Sequence, residues 1–119
     1  MFDLSIAGPS DYWLLENGEI TEGEITPEDF GIARASLDLC KSGSPEENAE
    51  ELKRIFSGKK GPVTDFVCMN AAAALKISGK AKSFREAMKL ARSVIQSGAA
   101  MQTLNKFIAY IIYIVFFSQ

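Results

Sequence analysis

Gly61-Pro62-Val63-Thr64-Asp65-Phe66-Val67-Cys68-Met69-Asn70-Ala71-Ala72-Ala73-Ala74-Leu75 is the stretch whose reading decides the fold. Glycine followed by proline is the grammar of a helix start, because the proline occupies the first turn, where its missing N–H has no partner to lose. Val63, Phe66, Val67, Ala71, Ala74 and Leu75 then recur at three- and four-residue intervals, the spacing of one core-facing side of a helix. The run of alanines makes that helix narrow. A narrow helix brings its backbone close to whatever packs on it, and a flat partner for it is only partly supplied by the rest of this chain.

Downstream of that helix, Ser83-Phe84-Arg85-Glu86 reads as a capping box, followed by Ala87, Met88, Ala91, Val94 and Ile95 on one side and Gly98 as the stop. Another helix starts near Ala99 or Ala100. Upstream, Ser44-Pro45-Glu46-Glu47 reads as a second box around a proline, with Leu52, Ile55 and Phe56 as its buried stripe and Gly58 ending it. Thr26-Pro27-Glu28-Asp29 repeats the pattern on a smaller scale and predicts a brief helical turn ending near Gly31. Before that, Leu4, Ile6, Tyr12, Leu14 and Ile20 alternate with polar residues, and Asn17-Gly18 tolerates the positive φ angles of a type I′ turn. The expected result is an antiparallel ribbon over about residues 3 to 25.

The fold class is therefore α+β: a short antiparallel strand ribbon followed by about four helices. We divide the chain into a ribbon (1–25), a helical part (26–106) and an apolar tail (107–119), together one partial domain. A ribbon of two or three strands is marginally stable by itself, which is why part of a domain fits better than a whole one.

The 119 residues are 47% hydrophobic, 24% charged and 10% aromatic, with a net charge of −2, the profile of an ordinary globular protein. No basic stripe calls for a nucleic acid. There is no histidine, which excludes histidine-assisted triads and histidine-containing zinc sites in this chain. Cys40 and Cys68 lie far apart and read as buried free thiols in a reducing, cytoplasmic setting. The first residues lack the basic-then-apolar pattern of a secretory signal. Residues Phe107 to Phe117 are continuously apolar, but the run is shorter than the ~20 residues of a membrane span, so a membrane partner is not expected. Packing of that tail on a core is expected instead.

The polar clusters have structural readings. Ser78-Gly79-Lys80 fails as a phosphate loop because Ala74 and Ala81 stand where glycine and a hydroxyl residue are required. Lys76, Lys80, Lys82, Arg85 and Lys89 then read as a solvated helix junction. Gly58-Lys59-Lys60-Gly61 reads as a turn between helices, and Glu46, Glu47, Glu50 and Glu51 as acids at a helix start. Asp3 is the single candidate metal ligand: a carboxylate here can hold Mg2+ when a second oxygen lies close. Phe2 offers no ligand and Asp11 lies across a turn.

The quoted helix, with its Gly-Pro, Asp and Asn-Ala-Ala-Ala-Ala-Leu, resembles the anthranilate phosphoribosyltransferase family. Similar in order and spacing are Ser5-Ile6-Ala7-Gly8-Pro9-Ser10-Asp11, Gly18-Glu19-Ile20, Pro27-Glu28-Asp29-Phe30-Gly31, Asn48-Ala49, Gly79-Lys80-Ala81-Lys82-Ser83 and Ser97-Gly98, so the resemblance covers residues 3 to 106. It implies the carboxy-terminal part of the α/β domain of a nucleoside phosphorylase/phosphoribosyltransferase-type fold. The implied reaction is Mg2+-dependent transfer of phosphoribosyl from phosphoribosyl pyrophosphate (PRPP) to the amine of anthranilate, in tryptophan biosynthesis.

By the same resemblance, the family's glycine-rich pyrophosphate turn, its lysine- and asparagine-containing loop and its anthranilate-side arginine all lie upstream of these residues. No catalytic or substrate-binding residue is therefore assigned here. An adjacent Asp-Glu pair for Mg2+ falls in register with Phe2 and Asp3, of which only Asp3 keeps a carboxylate. The chain is expected to bind no cofactor and to be inactive alone, or to act as a non-catalytic module pairing with a separate amino-terminal half.

Overall fold

The computed structural model describes residues 3–117. Strands β1 (Ser10–Glu16) and β2 (Glu19–Ile25) form an antiparallel pair in register from Ser10 opposite Ile25 to Glu16 opposite Glu19. Asn17 and Gly18 close it with φ angles of 52° and 82°, the two positive values of the expected type I′ turn. Two 3₁₀ turns follow, Pro27–Phe30 and Leu37–Cys40. Four helices complete the chain: α1 (Pro45–Phe56), α2 (Pro62–Ile77), α3 (Phe84–Gln96) and α4 (Ala99–Phe117).

The ribbon is shorter than expected, because residues 3 to 9 form a folded-back loop and not a strand. The Ser10 hydroxyl accepts from the Ser5 N–H at 2.9 Å, and the Ser5 hydroxyl accepts from the Ala7 N–H at 3.2 Å. Proline at position 9 has no N–H to give a ladder. The Ile6 carbonyl is taken instead by the Ala35 N–H at 3.0 Å, and the Ile6 side chain is fully buried. Serine hydroxyls offering a local alternative to the ladder produced an apolar alternation that is not a strand.

The core gathers Ile6, Ile25, Phe30 and Ile32 from the amino-terminal segment with Cys68, Met69 and Ala72 of α2 and Ala87, Met88 and Ala91 of α3. Small residues on both helices let α2 and α3 lie close, while Met69 and Met88 fill the irregular space between them; burying such a side chain contributes about 1.5–3 kcal/mol. Phe30 packs against Phe84 with ring centroids 4.8 Å apart. That contact ties the first 3₁₀ turn to the start of α3.

The buried face of α2 differs from the expected one. Cys68, Met69 and Ala72 point inward with Phe66, Ala73 and Leu75 packed beside them, whereas Ala71 and Ala74 are exposed. The helix is apolar on two sides, and the side that meets α3 is covered here. On the side carrying Val63, Val67, Ala71 and Ala74, the valines are half-buried and the alanines exposed, so that side is only partly covered among the described residues. Periodicity alone does not choose between two apolar faces.

Helix caps account for the other boundaries. At α1 the box is complete: Glu47 N–H donates to the Ser44 hydroxyl, and Ser44 N–H donates to the Glu47 carboxylate at 2.8 Å. At α3 only half forms, because Glu86 N–H donates to Ser83 but the Glu86 carboxylate accepts from Lys82 N–H at 3.0 Å.

Helix α4 begins after Gly98, whose φ is 81°. Ala100, Met101 and Leu104 are half-buried against the body; from Asn105 to Phe117 every residue is exposed. The helix runs continuously into the apolar tail, as expected, and the core on which residues 107–117 were expected to pack is not found among the described residues. The core closes without them, and α4 leaves the body after its second turn.

Candidate functional site

Asp3, the candidate Mg2+ ligand, is exposed at the head of the folded-back loop, and Phe2, its partner position, lies outside the described residues. What holds Asp3 in place is its neighbour. Leu4 N–H donates to Asn70 Oδ1 at 2.8 Å, while Asn70 Nδ2 donates to the Phe66 carbonyl at 3.1 Å and approaches the Leu4 carbonyl at 3.4 Å. The loop's start is thereby fixed to the middle of α2. A metal site asks for more: among the described residues no group of three His, Cys, Asp or Glu side chains comes together. The described residues alone do not assemble such a group around Asp3, and no chemical step is routed through a metal.

The remaining motif residues also hold backbone. Thr26 N–H donates to Asp29 Oδ2 at 2.8 Å, closing the small box before Phe30. Gly43 N–H donates to Asn48 Oδ1 at 2.8 Å, and Asn48 Nδ2 returns the bond to the Gly43 carbonyl. Arg85, from the basic cluster, donates to the Glu28 carbonyl at 3.2 Å, and Lys76 sits 5.3 Å from the centre of the Phe84 ring. Lys76, Lys82 and Arg85 thus line a shallow groove with Tyr12, Glu24 and Asp29 at the α2–α3 junction. It is a helix junction.

The Gly58–Gly61 turn behaves as expected, with both glycines at positive φ, 99° and 137°. Lys59 meets Glu51 at 2.6 Å, and the Thr64 hydroxyl donates to the Lys59 carbonyl at 2.7 Å. Through that pairing, the Lys59 ammonium holds the Glu51 carboxyl below its usual range. Hydrogen bonds from its own backbone N–H and from the Arg34 side chain do the same for Glu28.

Two interactions have no counterpart in the sequence reading. Arg92 Nη2 of α3 meets Asp65 Oδ1 of α2 at 2.8 Å, a partly exposed pair contributing roughly 0.2–1 kcal/mol. The Asn70 clamp is the other. A polar amide among apolar helix residues needs partners when it is partly buried, and that requirement was the available signal. Both thiols are free, as read; Cys68 is buried and Cys40 half-buried, so the expected burial holds in full for Cys68 only. Burial pushes both thiols above their ordinary value.

A two-stranded ribbon followed by four helices, with motif residues holding its turns, is the build of part of an α/β domain. The chain belongs to the glycosyl transferase family, a/b domain, which matches residues 1–101. Its relatives are anthranilate phosphoribosyltransferases: the Parvibaculum lavamentivorans enzyme is 46% identical over 109 residues, 92% of this chain and 32% of that protein. The Methanosarcina mazei enzyme is 46% identical over 93 residues, 78% of this chain and 25% of its own length.

Solved structures agree. The Thermus thermophilus anthranilate phosphoribosyltransferase superposes with a TM-score of 0.70 at 40% identity, over 75% of this chain and 27% of that one. The Saccharomyces cerevisiae enzyme in complex with 4-fluoroanthranilate gives 0.83 at 28% identity, over 92% and 32%. Other structures of the yeast enzyme contain Mg, or PRPP and Mg. The chain thus spans about a third of the length of the relatives it matches, corresponding to their carboxy-terminal portion.

Proposed function

We propose that this chain is the scaffold portion of an anthranilate phosphoribosyltransferase: it contributes the helical wall of the site and one acidic position, Asp3, while PRPP and anthranilate are gripped by residues it does not contain. By itself it is inactive and binds no cofactor. The observation that carries this reading is the use of the motif side chains. Asn70, Asp29, Asn48 and Asp65 are engaged in holding backbone or pairing helices. An electrostatic site for a departing pyrophosphate needs several donors aimed at one place, and among the described residues these side chains point to separate backbone and helix partners. A reducing cytoplasmic setting is part of the same reading, supported by the two free thiols. Expressed alone in a tryptophan-requiring strain that lacks the enzyme, the chain should give no growth without tryptophan. Growth would refute the proposal.

One observation favours a second role, pairing with a separately made amino-terminal portion. The α2 face formed by Val63, Val67, Ala71 and Ala74 is apolar, narrow and only partly covered, with the valines half-buried and the alanines exposed, and a surface of that kind is suited to close packing on a sheet. Co-expression of the chain with the amino-terminal two-thirds of a relative should yield co-elution on size exclusion, and separate elution would count against it.

A further inference from the structure

Asn17 and Gly18 close the β1–β2 ribbon from an exposed position, and a Cβ built at Gly18 meets nothing within 4 Å. The Gly18 nitrogen is thus free of steric cover and sits next to the Asn17 side-chain amide, whose carbonyl carbon it can attack when the backbone brings the two together. The closed turn keeps them apart. In a type I′ turn the first central residue has ψ of about +30°, the mirror image of the type I value, which places the Gly18 nitrogen nearly opposite the Asn17 Cβ about the Cα–C bond.

We infer that Asn17 is a site of self-modification, hydrolysed to aspartate and isoaspartate when the ribbon opens. The Gly18 nitrogen bonds to the Asn17 Cγ, the bond from Cγ to the amide nitrogen breaks, and ammonia leaves with the Gly18 proton. Water then opens the five-membered imide at either carbonyl. The balance is amide plus water to carboxylic acid plus ammonia, with no oxidant or reductant. Opening at the backbone carbonyl routes the chain through the former side chain and adds a methylene to a two-residue turn whose length sets the strand register.

The ribbon is built to open. Strands β1 and β2 lie mainly against each other, and a lone two-stranded ribbon is marginally stable. Glu16 and Glu19 face each other beside the turn, a like-charge pair that weakens its closure, and the new carboxylate at position 17 joins them. Tyr12 works the other way. Its ring covers Gly23 on the opposite strand, where a Cβ would collide with it, and an aromatic ring laid over a strand glycine supports the pair. The chain's other asparagines lack this combination: Asn48 and Asn70 precede alanine and have their amides bonded to backbone groups, and Asn105 precedes lysine within α4.

The test incubates the full chain at mildly alkaline pH and follows its proteolytic peptides by mass spectrometry. Asn17 should turn to acid while Asn48, Asn70 and Asn105 stay amides. Urea sufficient to unfold the chain should speed the change severalfold, and Tyr12→Ala, which loosens the ribbon, by up to about fivefold. In the isoaspartate product, amide hydrogen exchange along β1 and β2 should be faster than in Asn17→Asp, which carries the same new charge on an ordinary backbone. Three results would overturn the inference: modification at Asn17 no faster than at the other three asparagines, a rate that urea leaves unchanged, or equal strand exchange in the isoaspartate product and Asn17→Asp.

Discussion

Asn70, in the middle of α2, grips Leu4, sixty-six residues earlier, by both ends of its side-chain amide: Oδ1 accepts from the Leu4 N–H at 2.8 Å and Nδ2 lies 3.4 Å from the Leu4 carbonyl. This is one turn of an amide doing what a neighbouring strand would do, and it sets where Asp3 stands. Asn70→Ala should leave the Leu4 N–H and the Phe66 carbonyl without those partners in a partly buried setting, a cost of roughly 1–3 kcal/mol. Asn70→Asp keeps the acceptor but loses the donor, so it should cost less. Denaturant midpoints rank the variants, and faster amide hydrogen exchange at Leu4 in Asn70→Ala, with α3 amides little changed, locates the effect.

Gly61 separates backbone strain from crowding. Its φ of 137° with ψ of −179° is a region open in practice to glycine alone, yet a Cβ built there meets nothing within 4 Å. Gly61→Ala should therefore destabilise the chain by about 1–3 kcal/mol through conformation only. Gly8 offers the control: it too has open space around a Cβ and its φ is outside the left-handed range. Gly8→Ala should be neutral or slightly stabilising by thermal unfolding, because alanine restricts the unfolded chain.

The helices were legible because their start and stop signals are local. Ser44 with Glu47, Pro62 after Gly61, and Gly98 each act within one turn, so composition over a few residues specifies them. The type I′ turn at Asn17-Gly18 was legible for the same reason. What failed was long-range. Whether Ile6 belongs to a strand or a loop depends on Ala35, and which apolar face of α2 turns inward depends on Ala87, Met88 and Ala91. The tail is a different case: apolarity predicts that a segment needs cover, not that this chain supplies it. For the site, Asp3 was singled out as a carboxylate and the Asn70 clamp was not, since its partner is a backbone group that leaves no mark in the sequence.

The two thiols should react in a fixed order. Cys40 is half-buried beside the second 3₁₀ turn and Cys68 is 1% exposed between α2 and α3. Burial raises both above the ordinary value of 9.0, so the folded state favours the neutral thiol. The resulting stability is fully present below pH 9.0 and is lost as pH rises through the raised folded value. Alkylation near neutral pH should be slow, reaching Cys40 first and Cys68 only with unfolding. Mass spectrometry of the native chain after limited iodoacetamide treatment checks the order, and equal labelling would contradict the packing at Cys68.

Ala71 and Ala74 separate the stability of the chain from its capacity to pair. Both are exposed on the partly covered face of α2, while Ala72 between them is fully buried against α3. Glutamate is nearly as good a helix former as alanine, so Ala71→Glu with Ala74→Glu should change the unfolding free energy of the isolated chain by only about 0.5 kcal/mol. On a face that packs on a sheet, the same two carboxylates would lose their water without gaining partners, which costs several kcal/mol. The double variant should therefore unfold like the parent yet fail to co-elute with the amino-terminal portion of a relative. Ala72→Glu reverses the pattern, unfolding the chain whether or not a partner is present. If Ala71→Glu with Ala74→Glu destabilised the isolated chain as much as Ala72→Glu does, the assignment of the two faces of α2 would be wrong.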